Sequence, residues 1–335
     1  MNKIYTLIRF NRFIKSQRIK YFGIYLLHIF GKRYFAVFLD PALACNLRCK
    51  MCYFSDDNIR KAKQSRMLTG DEVAKIAGAF FHRALKLQIG CGAEPSLFPY
   101  NKEIIRLAKE KRVPYISMTT NANRFKENDW AELLEAGLDE VTLSLHGVSK
   151  ATYEYFMTNA SYEAFLHSLK ILTDLKKDYP AFKVRLNYTV NADNLQELSL
   201  LFDTLNDFAF DILQIRPIQA LGNTAYNNFS WDAIIEQYDQ VIDMLRKESA
   251  NHNVTFIAPS KKDLTEKENK GSSIFESTYF YISPKTCWTD DFDLNTDTYE
   301  SYAHRTHLGK KLLCEVFRKT KSTNYTTRNL NYKVQ

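Results

Sequence analysis

Residues that interrupt regular structure are scarce in this sequence, and it has no long apolar run. Only 11 of its 335 residues are glycine and 8 are proline, which excludes collagen-like and low-complexity architectures. Hydrophobic residues make up 45% of the chain and charged residues 25%, so the chain can bury a core and is not mainly disordered. The most apolar early stretch, residues 21–30, is about half as long as a membrane-spanning helix. Gly-Lys-Arg follows it in place of a small-residue cleavage site, so no secretory signal is expected.

Acidic residues are absent from both ends of the chain. Residues 1–39 carry eight Lys or Arg and residues 318–335 carry five, with no Asp or Glu in either segment. The whole chain has a net charge of +8, so once the thirteen positive charges of the ends are removed, the intervening body carries −5. The basic character therefore belongs to the ends, and no nucleic-acid-binding face is expected on the body.

The basic segment of residues 1–33 is expected to form an amphipathic helix or a pair of helices. Its first apolar side chains are Ile4, Leu7, Ile8, Phe10, Phe13 and Ile14. Two interpretations stay open: the segment packs on the body, or it makes a peripheral contact with a membrane surface. We expect a cytoplasmic protein, and the second interpretation would place it at the inner face of the membrane.

From residue 34 the chain alternates strand-like and helical segments. The predicted strands are residues 34–42, 85–89, 114–119, 141–145, 184–190 and 212–215. Six strand-then-helix units in series predict a parallel sheet, either doubly wound or in a complete or partial (β/α) barrel. In such folds the chemistry collects at the carboxyl ends of the strands. Residues 251–317 have a weaker pattern and predict an irregular C-terminal extension, and residues 318–335 are expected to be disordered.

Three of the six cysteines fall in one short loop after the first strand, as Cys45-x3-Cys49-x2-Cys52. The others are Cys91, Cys287 and Cys314. Without a signal sequence, metal binding by thiolates is favoured over a disulfide framework. Zinc would require four ligands, and the nearest further candidates, Cys91 and His82, lie at no customary zinc spacing. An iron–sulfur cube usually takes four cysteines, so three would leave one iron open to a substrate or co-substrate.

This cysteine loop resembles that of the radical S-adenosylmethionine (SAM) superfamily, and the resemblance extends over roughly residues 36–220. It implies an α/β fold with a partial (β/α)6 TIM-like barrel, here residues 34–250, and a [4Fe–4S] cluster on Cys45, Cys49 and Cys52. In this family the open iron is chelated by SAM, whose reductive cleavage gives a 5′-deoxyadenosyl radical that takes hydrogen from the substrate. An electron donor such as flavodoxin or ferredoxin is therefore implied.

Further strand ends resemble the SAM-binding positions of this superfamily. Gly92, Ala93 and Glu94 stand where relatives have a Gly-Gly-Glu-Pro loop that holds the methionyl amino group. Gly92 allows close approach of the backbone, Ala93 replaces the second glycine, and Glu94 supplies an anion to the ammonium. The remaining candidates for SAM binding are Met51, Asn121, Ser144, His146, Arg185, Asn187 and Arg216.

Three of these candidates keep a second interpretation, and a fourth departs from the family pattern. Met51 stands where relatives have an aromatic residue against the adenine, and its thioether can cover a purine face. Arg185 is a partner for the SAM carboxylate or for a carboxylate on a neighbouring helix. His146 is either structural or in contact with SAM or substrate, and Arg216 could hold an anionic substrate instead. No residue can be assigned to catalysis after hydrogen abstraction.

The substrate is not readable from the core. Cys287-Trp288 resembles the start of the cysteine-rich extension of peptide-modifying relatives, which carries auxiliary clusters, although only Cys287 and Cys314 lie in this part of the chain. We therefore expect a peptide or protein substrate. The basic N-terminal segment supports the alternative of a lipid-linked or membrane-borne substrate. A third interpretation, a zinc-binding scaffold protein without enzymatic activity, leaves the residues at the other strand ends unexplained.

Overall fold

The structure is a computed structural model that describes residues 14, 16–63, 66–218, 224, 226, 234–261, 264 and 273–318. Within them lies one open sheet with the strand order β7-β6-β5-β4-β3-β2-β1-β8-β9. The strands are β1 (Phe35–Leu39), β2 (Ala84–Ile89), β3 (Ile116–Thr120), β4 (Glu140–Leu145), β5 (Lys183–Val190), β6 (Ile212–Pro217), β7 (Thr255–Ile257), β8 (Tyr279–Ser283) and β9 (Thr286–Cys287). Neighbouring strands run parallel except in the short β8–β9 hairpin.

Helices connect successive strands. They are α1 (Gln17–Ile29), α2 (Asp57–Lys63), α3 (Gly70–Ile76), α4 (Asn101–Glu110), α5 (Glu127–Glu135), α6 (Lys150–Phe156), α7 (Tyr162–Leu175), α8 (Leu201–Thr204), α9 (Ile235–Asn251), α10 (Ser273–Thr278), α11 (Tyr299–Arg305) and α12 (Leu308–Phe317). Helix starts follow local chemistry: Thr69 and Glu72 form a capping box at α3, and Ser161 caps α7 through its side chain.

Alternation along the strands separates an apolar face from a polar face. On β5, Val184, Leu186 and Tyr188 are fully buried, as expected for side chains that pack against the helices. Arg185 and Asn187 point to the opposite face because successive strand residues alternate. On β4 the same alternation places Glu140, Thr142 and Ser144 opposite Val141, Leu143 and Leu145, so this part of the sheet has an apolar face and a polar face. The polar side chains of β4 and β5 therefore lie on the same face of the sheet.

The open parallel sheet confirms the predicted α/β partial barrel, and all six predicted strands are present. The extension at residues 251–317 contains more regular structure than its weak sequence pattern predicts. This part of the chain supplies β7, which extends the sheet beyond β6, and β8, which pairs with β1. Phe280 of β8 stacks between Phe35 and Trp288, with ring centroids 3.9 and 4.1 Å away. A strand whose partner lies some 240 residues earlier leaves little local signal.

The N-terminal helix α1 packs on the body through one side. Tyr21 and Ile24 are buried, Nδ1 of His28 lies 2.9 Å from the hydroxyl of Tyr299, and Arg83 donates to the His28 carbonyl at 3.1 Å. No helix in the described part of the chain is long and apolar enough to cross a membrane. The apolar positions before Ile14 and the tail from residue 319, which was expected to be disordered, lie outside the described residues.

Candidate active site

The cysteine loop follows β1 and is fixed from the side of the α6–α7 connection. The Arg48 amide donates to the Thr158 carbonyl and the Lys50 amide donates to the Phe156 carbonyl, each at 2.9 Å. The loop therefore has a defined conformation although it contains no strand or helix. Its three thiols lie at the carboxyl edge of the sheet.

Burial keeps at least two of these thiols protonated when no metal is bound. Burial, reinforced by the nearby Glu94, raises the pKa of Cys45 to about 12, and burial also raises the pKa of Cys49. Both are neutral thiols at pH 7, so a metal must displace their protons. Within the described residues, no three His, Cys, Asp or Glu side chains are gathered closely enough to hold a single ion. The cysteines of a [4Fe–4S] cluster each bind a different iron, so three thiols in one loop fit the cluster.

Asp40, the residue after β1, holds the loop that follows β2. Its buried carboxylate accepts hydrogen bonds from the amides of Cys91 at 2.6 Å and Gly92 at 3.0 Å. The hydroxyl of Tyr281, on β8, donates to the same carboxylate at 2.7 Å. Sequence reasoning missed Asp40, although an acidic residue before a proline at the end of a predicted strand was a usable signal.

Backbone conformation in this second loop requires glycine at Gly90. Its φ is +73°, and a Cβ there would lie 2.4 Å from the Thr119 carbonyl oxygen, so another side chain cannot fit without moving the backbone. Gly92 and Ala93 are half-buried, and the Gly92 carbonyl accepts a hydrogen bond from the Tyr53 hydroxyl. The glycine that the geometry demands is therefore Gly90.

Glu94 connects the loop after β2 to the end of β3. Its buried carboxylate accepts hydrogen bonds from the hydroxyl of Thr120 at 2.6 Å, the amide of Asn121 at 2.9 Å and the amide of Ser96 at 3.0 Å. Burial raises the pKa of Glu94, against the opposing effect of these hydrogen bonds. The Asn121 side chain continues the network by donating to Asn46 of the cysteine loop at 2.9 Å. The predicted Glu94 and Asn121 thus lie together beside the cysteines.

Met51 belongs to the cysteine loop and lies near the ends of β5 and β6. It is buried against Phe156 and Ile218, with Tyr226 packed on the group. Its sulfur accepts a hydrogen bond from the Asn191 side chain at 3.1 Å. An apolar, polarizable surface therefore faces the last strand ends from the cysteine side.

The β4 and β5 strands present buried polar atoms that have no protein partner. Ser144 and Asn187 are neighbours across the two strands, and His146 follows β4 directly. Nδ1 of His146 and Oδ1 of Asn187 are buried without a hydrogen bond. Burial lowers the pKa of His146 to about 4, so the ring is neutral at pH 7. Such atoms call for a bound polar partner. The backbone of His146 is held by the Asn194 side chain, which donates to the His146 carbonyl at 2.9 Å.

The two predicted arginines lie at different depths. Arg185, near the start of β5, forms an ion pair with the buried Glu140 at 2.9 Å and a hydrogen bond to Gln214 at 2.8 Å. Its carboxylate partner is on strand β4 and not on a neighbouring helix, and the pair lies below the carboxyl edge. Arg216 is half-buried near the end of β6 and is paired in register with Thr189. The structure therefore brings Arg216, but not Arg185, toward the edge that holds the cysteines.

An Asp40→Asn variant tests the network that positions the second loop. We expect its free energy of unfolding to fall by about 1–3 kcal/mol, because a buried carboxylate that accepts amide hydrogen bonds loses its charge. Urea denaturation measures the change. Asp207→Asn, an exposed position, is the matched control and should change stability by less than about 0.5 kcal/mol. Equal effects at the two positions would contradict the role assigned to Asp40.

Sequence comparisons agree with this geometry. The profile described as the radical SAM superfamily matches residues 40–199, a range that contains the three cysteines, Glu94, Asn121, His146 and Asn187. A probable GTP 3',8-cyclase of Saccharolobus solfataricus is 28% identical over 225 residues, which cover 65% of this chain and 68% of that protein. The probable GTP 3',8-cyclase of Sulfurisphaera tokodaii is 24% identical over 203 residues, 59% of this chain and 60% of that protein.

Solved structures show the same fold. SuiB of Streptococcus suis, bound to S-adenosylmethionine, aligns with a TM-score of 0.56 at 13% identity, over 77% of this chain and 60% of its own. Native anSMEcpe with bound AdoMet aligns with a TM-score of 0.53 at 16% identity, over 66% of this chain and 63% of its own. The chain thus spans about three fifths of the solved chains that it matches. Together, the cysteine loop, the strand-end residues and the matched profile are features of the radical SAM superfamily, whose enzymes use a [4Fe–4S] cluster and SAM.

Proposed function

We propose that this protein holds a [4Fe–4S] cluster on Cys45, Cys49 and Cys52, binds SAM beside it, and starts radical chemistry on a peptide or protein. The observation that supports the proposal most is the convergence of three thiols and two unpartnered buried polar atoms, Nδ1 of His146 and Oδ1 of Asn187, on one edge of an open sheet. When bound, the reduced cluster supplies the electron that splits SAM into methionine and a 5′-deoxyadenosyl radical, which takes a hydrogen atom from the substrate.

The residues of this chain divide the binding of SAM between two sides of the edge. Glu94 supplies negative charge where the methionyl ammonium would lie, with Gly92 and Ala93 beside it, and Asn121 holds Glu94 to the cysteine loop. Nδ1 of His146 and Oδ1 of Asn187 offer a hydrogen-bond partner each to a polar group such as the ribose, with Ser144 adjacent.

On the other side, Met51 offers an apolar surface to the adenine, next to Ile218. We assign Arg185 a structural role, because its charge is already balanced by Glu140. Arg216 is left to bind either SAM or an anionic part of the substrate.

A peptide or protein is the substrate class that we favour. The sheet is open, so a bulky substrate can reach the polar face of β4 and β5. SuiB, which has the same fold, is known in a complex with the precursor peptide SuiA. A lipid-linked or membrane-borne substrate is the alternative, and we favour it less because the end of α1 contacts Arg83, just before β2, and not the cysteine loop. The similarity to probable GTP 3',8-cyclases favours one second candidate, a purine nucleotide.

We also propose a cytoplasmic location. The three cysteines must stay reduced to bind iron, and the cytosol keeps thiols reduced. An electron donor such as flavodoxin or ferredoxin is available there.

Replacement of one cysteine tests the cluster. After anaerobic reconstitution, we expect Cys49→Ala to lose bound iron, the brown absorption and the release of 5′-deoxyadenosine with SAM and dithionite. Even a lost outer-shell partner costs about 10- to 100-fold in metal affinity, so a lost ligand should cost more. The exposed Cys314 provides the control Cys314→Ala, which should match the unaltered protein. A colourless, zinc-loaded unaltered protein would defeat the proposal.

An Asn187→Ala variant tests the polar wall of the site. We expect the dissociation constant of SAM to rise about three- to tenfold, the equivalent of one hydrogen bond, while the iron content stays unchanged. Equilibrium dialysis of the reconstituted protein measures the constant. The exposed Asn128 gives the control Asn128→Ala, and unaltered SAM binding by both variants would remove Asn187 from the site.

The substrate class can be tested with the unaltered protein. We expect GTP to leave the rate of 5′-deoxyadenosine release unchanged. A peptide substrate should raise this rate and should itself take up deuterium or change in mass. Mass spectrometry of nucleotide and peptide fractions provides the measurement. Consumption of GTP coupled to 5′-deoxyadenosine release would establish the nucleotide candidate and end the peptide proposal, without affecting the assignment of the cluster.

A further inference from the structure

The side of α1 that faces away from the body is apolar. Ile19, Phe22 and Phe30 are 59%, 48% and 68% exposed, and their spacing of three and then eight residues places them on one side of the helix. Leu27 and Ile29, at the margins of this side, are exposed as well. A helix on the surface of a globular protein normally turns polar residues outward. A continuous exposed apolar side therefore indicates a contact with something other than water.

This apolar side cannot turn inward, because the opposite side of α1 is already packed. Tyr21 and Ile24 are buried there, against a surface that includes Leu312 of α12. A Cβ at Gly309 would lie 3.4 Å from the His28 ring, so the start of α12 meets the end of α1. The two helices pack along their length. Because the start of one meets the end of the other, they run antiparallel. The end of α12 therefore lies near the start of α1, and Phe317 there is 75% exposed.

Positive charge surrounds the apolar side. Arg18 and Lys20 flank it on α1 itself. The antiparallel arrangement brings the two ends of the described chain, Ile14 and Arg318, to the same end of the helix pair. The sequences beyond them, residues 1–13 and 319–335, contain seven Lys or Arg and no acidic residue. A cationic region is thus attached beside an exposed apolar helix.

We propose that α1 lies in the plane of a lipid bilayer that contains anionic lipids, with its apolar side in the headgroup boundary and its basic neighbours on the lipid phosphates. Apolar side chains flanked by Lys and Arg are the features of interfacial helices, and each basic residue near an anionic surface adds to the attraction. A second copy of the chain fits less well, because a two-fold contact through α1 would bring two cationic regions together.

The attachment would leave the active-site edge accessible. Arg33, just after α1, donates to the Phe81 and Ala84 carbonyls at 2.6 and 2.9 Å, which fixes the end of α1 at the amino ends of the strands. The cysteine loop lies at the carboxyl ends. A membrane at α1 therefore contacts a different part of the protein from the one that takes the substrate, and this inference is independent of the proposed substrate class.

Vesicle sedimentation of the full-length, cluster-loaded protein tests the proposal. We expect binding to vesicles of phosphatidylcholine with phosphatidylglycerol, weaker binding to phosphatidylcholine alone, and a decrease as salt is raised. The double variant Phe22→Ser/Phe30→Ser should lower the partition coefficient at least about tenfold. The control Tyr100→Ser/Leu200→Ser removes two similarly exposed apolar side chains from other surfaces and should bind as the unaltered protein does.

Three outcomes would overturn the proposal. They are the absence of binding to anionic vesicles, binding that the α1 double variant leaves unchanged, and a concentration-dependent dimer abolished by the same variant without vesicle binding. Circular dichroism and 5′-deoxyadenosine release, measured on every variant, show whether the fold and the radical chemistry persist. Loss of vesicle binding with retained SAM cleavage is thereby separated from a failure of the proposed function.

Discussion

The buried carboxylate of Asp40 is the interaction on which the site depends. It lies at the end of β1, immediately before the cysteine loop, and holds two amides of the loop after β2. Tyr281 binds it from β8, so three strands of the sheet meet at one charge. The neighbouring loop extends the arrangement, because Glu94 and Asn121 connect the ends of β2 and β3 to the cysteine loop. The relative positions of the three cysteines and of the residues proposed to bind SAM follow from these few hydrogen bonds.

An apolar shell around a polar interior explains how the fold tolerates so many buried polar groups. The outward residues of the strands supply the hydrophobic core, while the inward ones form pairs such as Arg185 with Glu140. Pairing compensates the cost of burying a charge only where partners are close. The unpartnered atoms of His146 and Asn187 break this rule at the carboxyl edge, where a ligand is expected to complete their hydrogen bonds.

The first described helix, α1, and the last two, α11 and α12, pack together beside β1 and β8. β8 extends the sheet beyond β1, and α11, α12 and α1 cover that region. The rings of Phe35, Phe280 and Trp288 stack beneath them. The basic, apolar surface of α1 is therefore held rigidly to the barrel. The proposed membrane contact and the proposed substrate access thus involve separate surfaces of the molecule.

The sequence by itself determined the serial βα pattern and the cysteine loop, because these follow from local periodicity and spacing, and the family resemblance added the candidates Glu94, Asn121, His146 and Asn187. Only the tertiary structure decided the pairing of β8 with β1, the roles of Asp40 and Gly90, and the depth of Arg185. Each of these depends on contacts between residues far apart in the chain, such as Asp40 with Tyr281. Local patterns report which face a side chain occupies, whereas its partner is set by which strands become neighbours.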